Sequence, residues 1–302
     1  MRLRKKLAFT ALTTLLFLLL VEAVLMMLPS WMGHQQKEAY KEILGGQTAL
    51  LALGDSVTFG YGVEQGESWP EQLFQQLEAR SAPLSVYNRA VSGMDSKEMT
   101  QRELHTITSI AQKGQRPVAL VMIGHNDLVG VGYRSWSVPK GEAAEQPFLD
   151  LAPPRILRIL RWISISLQHQ ENAVWHDPKA LESLDRNLAQ LKSNIDTLNG
   201  GMYLLTYLIP GGPTTEMSPE QQRLLEQGRS YQIKTNVILR DLAEKHQIPL
   251  IDLEKHVDVP TDWDSRWFMD HVHPWPIGHQ KIAESVRKHL CSYGELPLTL
   301  AE

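Results

Sequence analysis

Five short apolar runs punctuate the chain: TALLAL (48–53), LSVYNRAV (84–91), PVALVMIG (117–124), MYLLTYLI (202–209) and IPLIDL (248–253). Each is bounded by glycine, proline or polar residues, and within each the apolar positions mostly follow one another instead of alternating. This is the pattern of strands buried on both faces. Between the runs lie helical segments. Ser68-Trp69-Pro70-Glu71 reads as a capping box with proline in the first turn, leading into EQLFQQLEAR. Residues 95–113 predict a second helix. Asp177-Pro178 opens a third that runs to about Leu198, Ser218-Pro219-Glu220-Gln221 caps a fourth to about His246, and 276–290 predict the last. Strands alternating with helices imply an α/β chain of βαβ units, a parallel sheet covered on both faces, and ligands at the carboxyl ends of the strands.

The pattern ahead of the first strand is different. RLRKK is followed by 22 residues, Leu7 to Leu28, that carry one charge, Glu22. At about 1.5 Å per residue a helix of that length spans a hydrocarbon core of about 30 Å. Glu22 lies toward the outer end, where a charge costs less, and Trp31 suits an interfacial anchor. Residues 1–31 are therefore expected to be a cytoplasmic basic stub and a transmembrane signal-anchor, which puts the body on the far side of the membrane. The rival is a cleaved signal peptide, with Val21-Glu22-Ala23 as a tolerable cleavage site. Both export the body. Residues 32–47, polar and containing Gly45-Gly46, read as a linker, so the folded domain is expected over 48–302.

Composition changes this picture little. The 302 residues are 43% hydrophobic and 21% charged, enough for one sizeable core, and the net charge of −4 gives no electrostatic footprint for nucleic acid. A single cysteine, Cys291, excludes an intrachain disulfide and a cysteine metal cluster, and reads as a packing residue of the last helix.

The chemistry lies just past the strand ends. The first run ends in Gly54-Asp55-Ser56, the second in Asn88-Arg89-Ala90-Val91-Ser92-Gly93, and the third in Gly124-His125-Asn126-Asp127. The fifth is followed, after a loop, by Asp270-His271-Val272-His273-Pro274. Taken alone, that last stretch suits either of two chemistries. Asp270, His271, His273 and His279 could supply metal ligands, or Asp-x-x-His could set a carboxylate on an imidazole, as a serine hydrolase needs. With the other blocks, one sheet edge gathers a serine that needs a base, a base with an orienter, and donors for an oxyanion.

Gly-Asp-Ser, a glycine after the second strand, Gly-x-Asn-Asp and Asp-x-x-His-Pro, in that order, resemble the SGNH hydrolases, the GDSL-like lipases and esterases. Gly278-His279 after the last block, and Asn236 on the fourth helix, fit the same pattern. The resemblance covers about residues 48–290 and implies a three-layer α/β/α, flavodoxin-like fold with a five-stranded parallel sheet. It implies Ser56 as nucleophile, His273 as base and Asp270 as its orienter. The N–H groups of Ser56 and Gly93 and the Asn126 side chain would form the oxyanion hole. On this basis Asp55 is expected to stabilise the turn, Asp127 to support its loop, His271 to be exposed or pocket-lining, and Pro274 to launch the last helix. His125 either lines the pocket or packs. No metal and no cofactor are implied.

Two stretches are particular to this chain. Residues 128–176 read as an insertion, within which APPRILRILRWISISL (152–167) is a basic amphipathic helix. It could lie on a membrane surface, form a lid or acyl-binding wall, or dock on the body as an ordinary surface helix. TYLIPGGPTT (206–215) is placed to shape the pocket rim. The function expected is an ester hydrolase working through an acyl-enzyme outside the cytoplasmic membrane, on O-acyl or O-acetyl groups of a cell-surface glycan. Lipid esters or thioesters are the alternative substrates, and a non-catalytic module that binds acylated glycan is the alternative of a different class.

Overall fold

A computed structural model describes residues 47–78, 84–128 and 178–296. Five strands appear where the apolar runs predict them: β1 (Thr48–Gly54), β2 (Leu84–Asn88), β3 (Arg116–Met122), β4 (Gly201–Leu205) and β5 (Leu250–Ile251). All neighbours pair in parallel, in the order β2-β1-β3-β4-β5. That order is the flavodoxin-like one, with its switch point between β1 and β3. The register aligns the carboxyl ends: Ala52 lies between Asn88 and Leu120, and Gly54 faces Met122. β5 is shorter than its run predicts. Pro249 has no N–H to give, and at Asp252 the backbone turns out of the ladder, its carbonyl accepting from the Lys255 and His256 N–H groups while its carboxylate pairs with Arg240.

The predicted helices are α2 (Trp69–Glu78), α3 (Ser96–Gln112), α5 (Pro178–Thr197), α6 (Pro219–Lys245) and α8 (Pro276–Ser292); three four-residue helices, α1 (Ser56–Phe59), α4 (His125–Leu128) and α7 (Leu253–His256), fall in strand-end loops. Right-handed crossovers put α2 on one face of the sheet and α3, α5 and α6 on the other. α8 packs on α2, and α3 on α5. Between these layers Ala49 to Leu53 and Val118 to Met122 are fully buried, and each buried Leu or Val there contributes roughly 1.5–3 kcal/mol. Cys291 is buried in α8.

The caps refine the expectations. Ser218 forms the reciprocal capping box with Gln221. Ser68 does not: its hydroxyl and its N–H both donate to Glu71, and the start of α2 is held instead by His279, whose Nδ1 accepts from the Trp69 N–H at 3.2 Å. At α8 the residue in the first turn is Pro276; Pro274 sits two residues earlier, bridged to Phe268.

Among the described residues no helix is long and apolar enough to cross a membrane. The anchor expected over 1–31 and the amphipathic segment 152–167 lie outside the described residues, as do nearly all of the linker and of the insertion. Leu128, assigned to that insertion, is fully buried at the end of α4.

Candidate active site

Three loops at the carboxyl edge of the sheet build the site. The first leaves β1. Asp55 caps α1 by accepting from the Val57 N–H at 3.1 Å, which turns the chain sharply and sets Ser56 at the start of the helix. Ser56 is nearly buried, with 9% of its surface exposed. The second loop precedes α8. His273 Nε2 is 2.9 Å from Ser56 Oγ, and His273 Nδ1 is 2.8 Å from Asp270 Oδ2. The other Asp270 oxygen accepts from the N–H groups of Val272 (2.7 Å) and His273 (2.8 Å). Burial acts to raise the Asp270 pKa, but these donors more than offset it and hold the carboxyl well below its ordinary value. An ionised carboxylate on Nδ1 fixes the proton there and leaves Nε2 to accept from the serine.

The third loop follows β3. Asn126 Nδ2 donates to the Met94 carbonyl at 3.0 Å, which uses one of its two hydrogens and fixes the amide. Gly93, one residue away from that carbonyl, has φ +80° and open space where a Cβ would be. That conformation favours glycine and leaves the approach to its N–H clear. Asp127 supports its loop as expected: it accepts from the Ser96 N–H and, at 2.5 Å, from the Ser96 hydroxyl, and Asn187 of α5 donates to the same hydroxyl at 2.8 Å.

A buried tyrosine joins the first loop to the third. The Tyr207 hydroxyl donates to Asp55 Oδ2 at 2.7 Å and accepts from the His125 N–H at 3.3 Å. Its own backbone is clamped by the Asn236 amide, which accepts from Tyr207 N–H at 2.8 Å and donates to Tyr207 O at 2.9 Å. Residues 206–208 are thus buried core, and the rim expected of 206–215 begins only at Gly212. No local pattern marks Tyr207, because its hydroxyl partner lies 152 residues away. Tyr61, 49% exposed, covers His273 with ring centroids 4.8 Å apart.

Two of the uncertain histidines also acquire places. His279 is turned into the core, where burial lowers its pKa to about 3. His271 is half-buried against α6, in the notch left by Gly228, and is not free in solvent. Among the described residues no group of three His, Cys, Asp or Glu side chains is arranged to hold a metal ion.

Burial raises the Asp55 pKa to about 6, against the opposing hydrogen bonds of Tyr207 and Val57. The folded chain therefore holds this proton more tightly than the unfolded one. The associated stability is complete below about pH 4 and is lost as pH rises through 6, a change of roughly 3 kcal/mol. Asp55→Asn keeps the shape and removes the titration. The melting temperature of wild type relative to this variant should fall between pH 4 and 6.5; parallel curves would contradict the assignment.

A family model for GDSL-like lipase/acylhydrolase matches residues 52–281. No curated protein matches the chain. Among solved structures it is similar to LAE5, an α/β hydrolase from the metagenome of Lake Arreo, Spain, at TM-score 0.51 and 18% identity over 84% of this chain and 98% of that one. It is also similar to a catalytic mutant of Axe2, an acetylxylan esterase from Geobacillus stearothermophilus (TM-score 0.49, 19% identity, 82% of this chain and 96% of that one). TesA gives TM-score 0.49 at 17% identity, over 80% and 98% of the two chains.

Proposed function

The chain belongs to the GDSL-like lipase/acylhydrolase family and is a carboxylic ester hydrolase; from that premise we propose that Ser56, His273 and Asp270 carry the reaction. The observation that carries this is the unbroken hydrogen-bond line Ser56 Oγ, His273, Asp270, at 2.9 and 2.8 Å. Ser56 Oγ attacks the ester carbonyl as its proton passes to His273 Nε2. The carbonyl oxygen becomes an oxyanion, received by the N–H groups of Ser56 and Gly93 and the second Asn126 hydrogen. The tetrahedral adduct collapses with cleavage of the ester C–O bond, and His273 returns the proton to the leaving alcohol. Water, deprotonated by His273, then attacks the acyl-Ser56 ester; the second adduct collapses with cleavage of the acyl–Oγ bond, His273 returns the proton to Ser56 Oγ, and the acid is released. Asp270 stabilises the imidazolium formed at each step without accepting its proton.

We further propose that the substrate is an acylated cell-surface glycan and that the domain works outside the cytoplasmic membrane, held by the segment at 7–28. The basic cluster and apolar stretch support the location. The polarity of this sheet edge supports the substrate. Between the loop after β4 and the loop ahead of Asp270 lies an open groove of about 500 Å³, lined mainly by polar side chains such as Thr214, Glu216, Gln221 and Asp262, with Trp263; it flanks the site, and Ser56 and His273 are not among its walls. A polar groove beside the site suits the sugar units that flank a glycan ester better than an acyl chain, which needs apolar walls. The full-length enzyme should therefore hydrolyse p-nitrophenyl acetate with a higher kcat/KM than the butyrate, and the octanoate least. A rate that rises with chain length would favour the lipid or thioester alternative and a role for 152–167.

A further inference from the structure

α6 presents one face, Gly228, Tyr231 and Gln232, to two of the three loops of the site, the one after β3 that carries Asn126 and the one that carries Asp270 and His273; positions three and four apart share a helix face. Two histidines rest on it. His125 comes from the β3 loop, immediately before Asn126. The Tyr231 hydroxyl donates to its carbonyl at 2.6 Å, its ring meets Tyr231 edge-on at 5.1 Å, and the Gln232 amide nitrogen lies 3.2 Å from its Nδ1. His271 comes from the loop of the base, between Asp270 and His273. Its ring lies so close to the helix backbone that a Cβ built at Gly228 would be 2.3 Å from Cγ and Cδ2. Both side chains are only partly buried.

These contacts set what the two rings can do. Gln232 is fully buried, and its donated hydrogen makes Nδ1 of His125 an acceptor, which puts the ring proton on Nε2. Burial, with His271 and His273 nearby, lowers the His125 pKa to about 3, and burial likewise lowers that of His271. His125 is thus a neutral ring with Nε2–H left to donate, and His271 a neutral ring with one donor and one acceptor, partners that a hydroxyl group can meet. The position fixes which part of the ester they meet. His273 must protonate the leaving alcohol, so the alcohol lies on the side of the His273 loop, to which His271 belongs. Seating a plain alkyl alcohol there would strip water from both rings and give nothing back.

We propose that His125 and His271, set side by side on the Gly228–Gln232 face of α6, bind hydroxyl groups of the leaving alcohol and make the enzyme select esters of polyhydroxylated alcohols over esters of alkyl alcohols. This rests on the reading of Ser56 and His273 as nucleophile and base. The experiment uses the full-length enzyme with three esters of one acid: methyl 6-O-acetylglucoside, ethyl acetate and p-nitrophenyl acetate. Wild type should prefer the glucoside to ethyl acetate in kcat/KM. His125→Phe and His271→Phe should each lower the glucoside to p-nitrophenyl acetate ratio by about tenfold, the size of one neutral hydrogen bond. The loss should appear in KM, and His125→Asn, which restores a donor, should recover part of it. A parallel fall for both substrates would mean a structural role and overturn the proposal. Wild type active on p-nitrophenyl acetate but preferring ethyl acetate would overturn it without any variant and leave the hydrolase reading intact. Wild type inert toward all three would defeat both.

Discussion

Ser56→Ala should abolish ester hydrolysis, lowering kcat on p-nitrophenyl acetate by at least about 10⁴-fold while the chain stays folded. The magnitude follows from the role: without Oγ no acyl-enzyme forms, and what remains is whatever the oxyanion donors and binding contribute over water. The folding side is equally explicit. The α1 turn is capped by the Asp55 side chain and closed by Gly60 N–H to Ser56 O at 3.1 Å, and neither bond uses the Ser56 hydroxyl. Circular dichroism and melting temperature should therefore match wild type. A retained rate in Ser56→Ala would mean that another group is the nucleophile.

The second large effect is expected at Asp270. Asp270→Asn should keep the loop, because Oδ1 can still accept from the Val272 and His273 N–H groups. The amide group would then face His273 Nδ1 and donate to it. That reverses the tautomer and presents an N–H, not a lone pair, to Ser56, so kcat should fall by about 10⁴-fold. KM should change far less, since Asp270 reaches substrate only through His273. A loss of similar size carried by KM would place Asp270 in substrate binding instead.

Much of this was legible in the chain because a parallel sheet hides nothing: strands covered on both faces read as unbroken apolar runs, and TALLAL became β1 with one added residue at its end. The four blocks at strand ends were legible for the same reason, since the fold brings those ends to one edge. What escaped detection was every contact made across the sheet. Tyr207 sits in MYLLTYLI and reads as core, and its hydroxyl gains meaning only from Asp55. Gln232 reads as one more polar position on a long helix, yet it is fully buried against His125, 107 residues earlier. His271 looked incidental beside His273 because nothing in the sequence tells that Gly228 makes room for its ring. Pro274 misled by two residues, because Pro276 starts the helix, and Ser68 stands at the predicted helix start but does not cap it, because its hydroxyl donates to Glu71 and His279, from elsewhere in the fold, takes the Trp69 N–H.

The central claim is that Ser56 forms a covalent bond with the substrate's acyl group. It is tested most directly by treating the full-length enzyme with an alkyl fluorophosphonate and locating the adduct by peptide mass spectrometry. The account predicts one phosphonyl group per chain, on Ser56, with p-nitrophenyl acetate hydrolysis falling in proportion and no adduct in Ser56→Ala. An adduct on another residue, or full activity after complete labelling of Ser56, would contradict it.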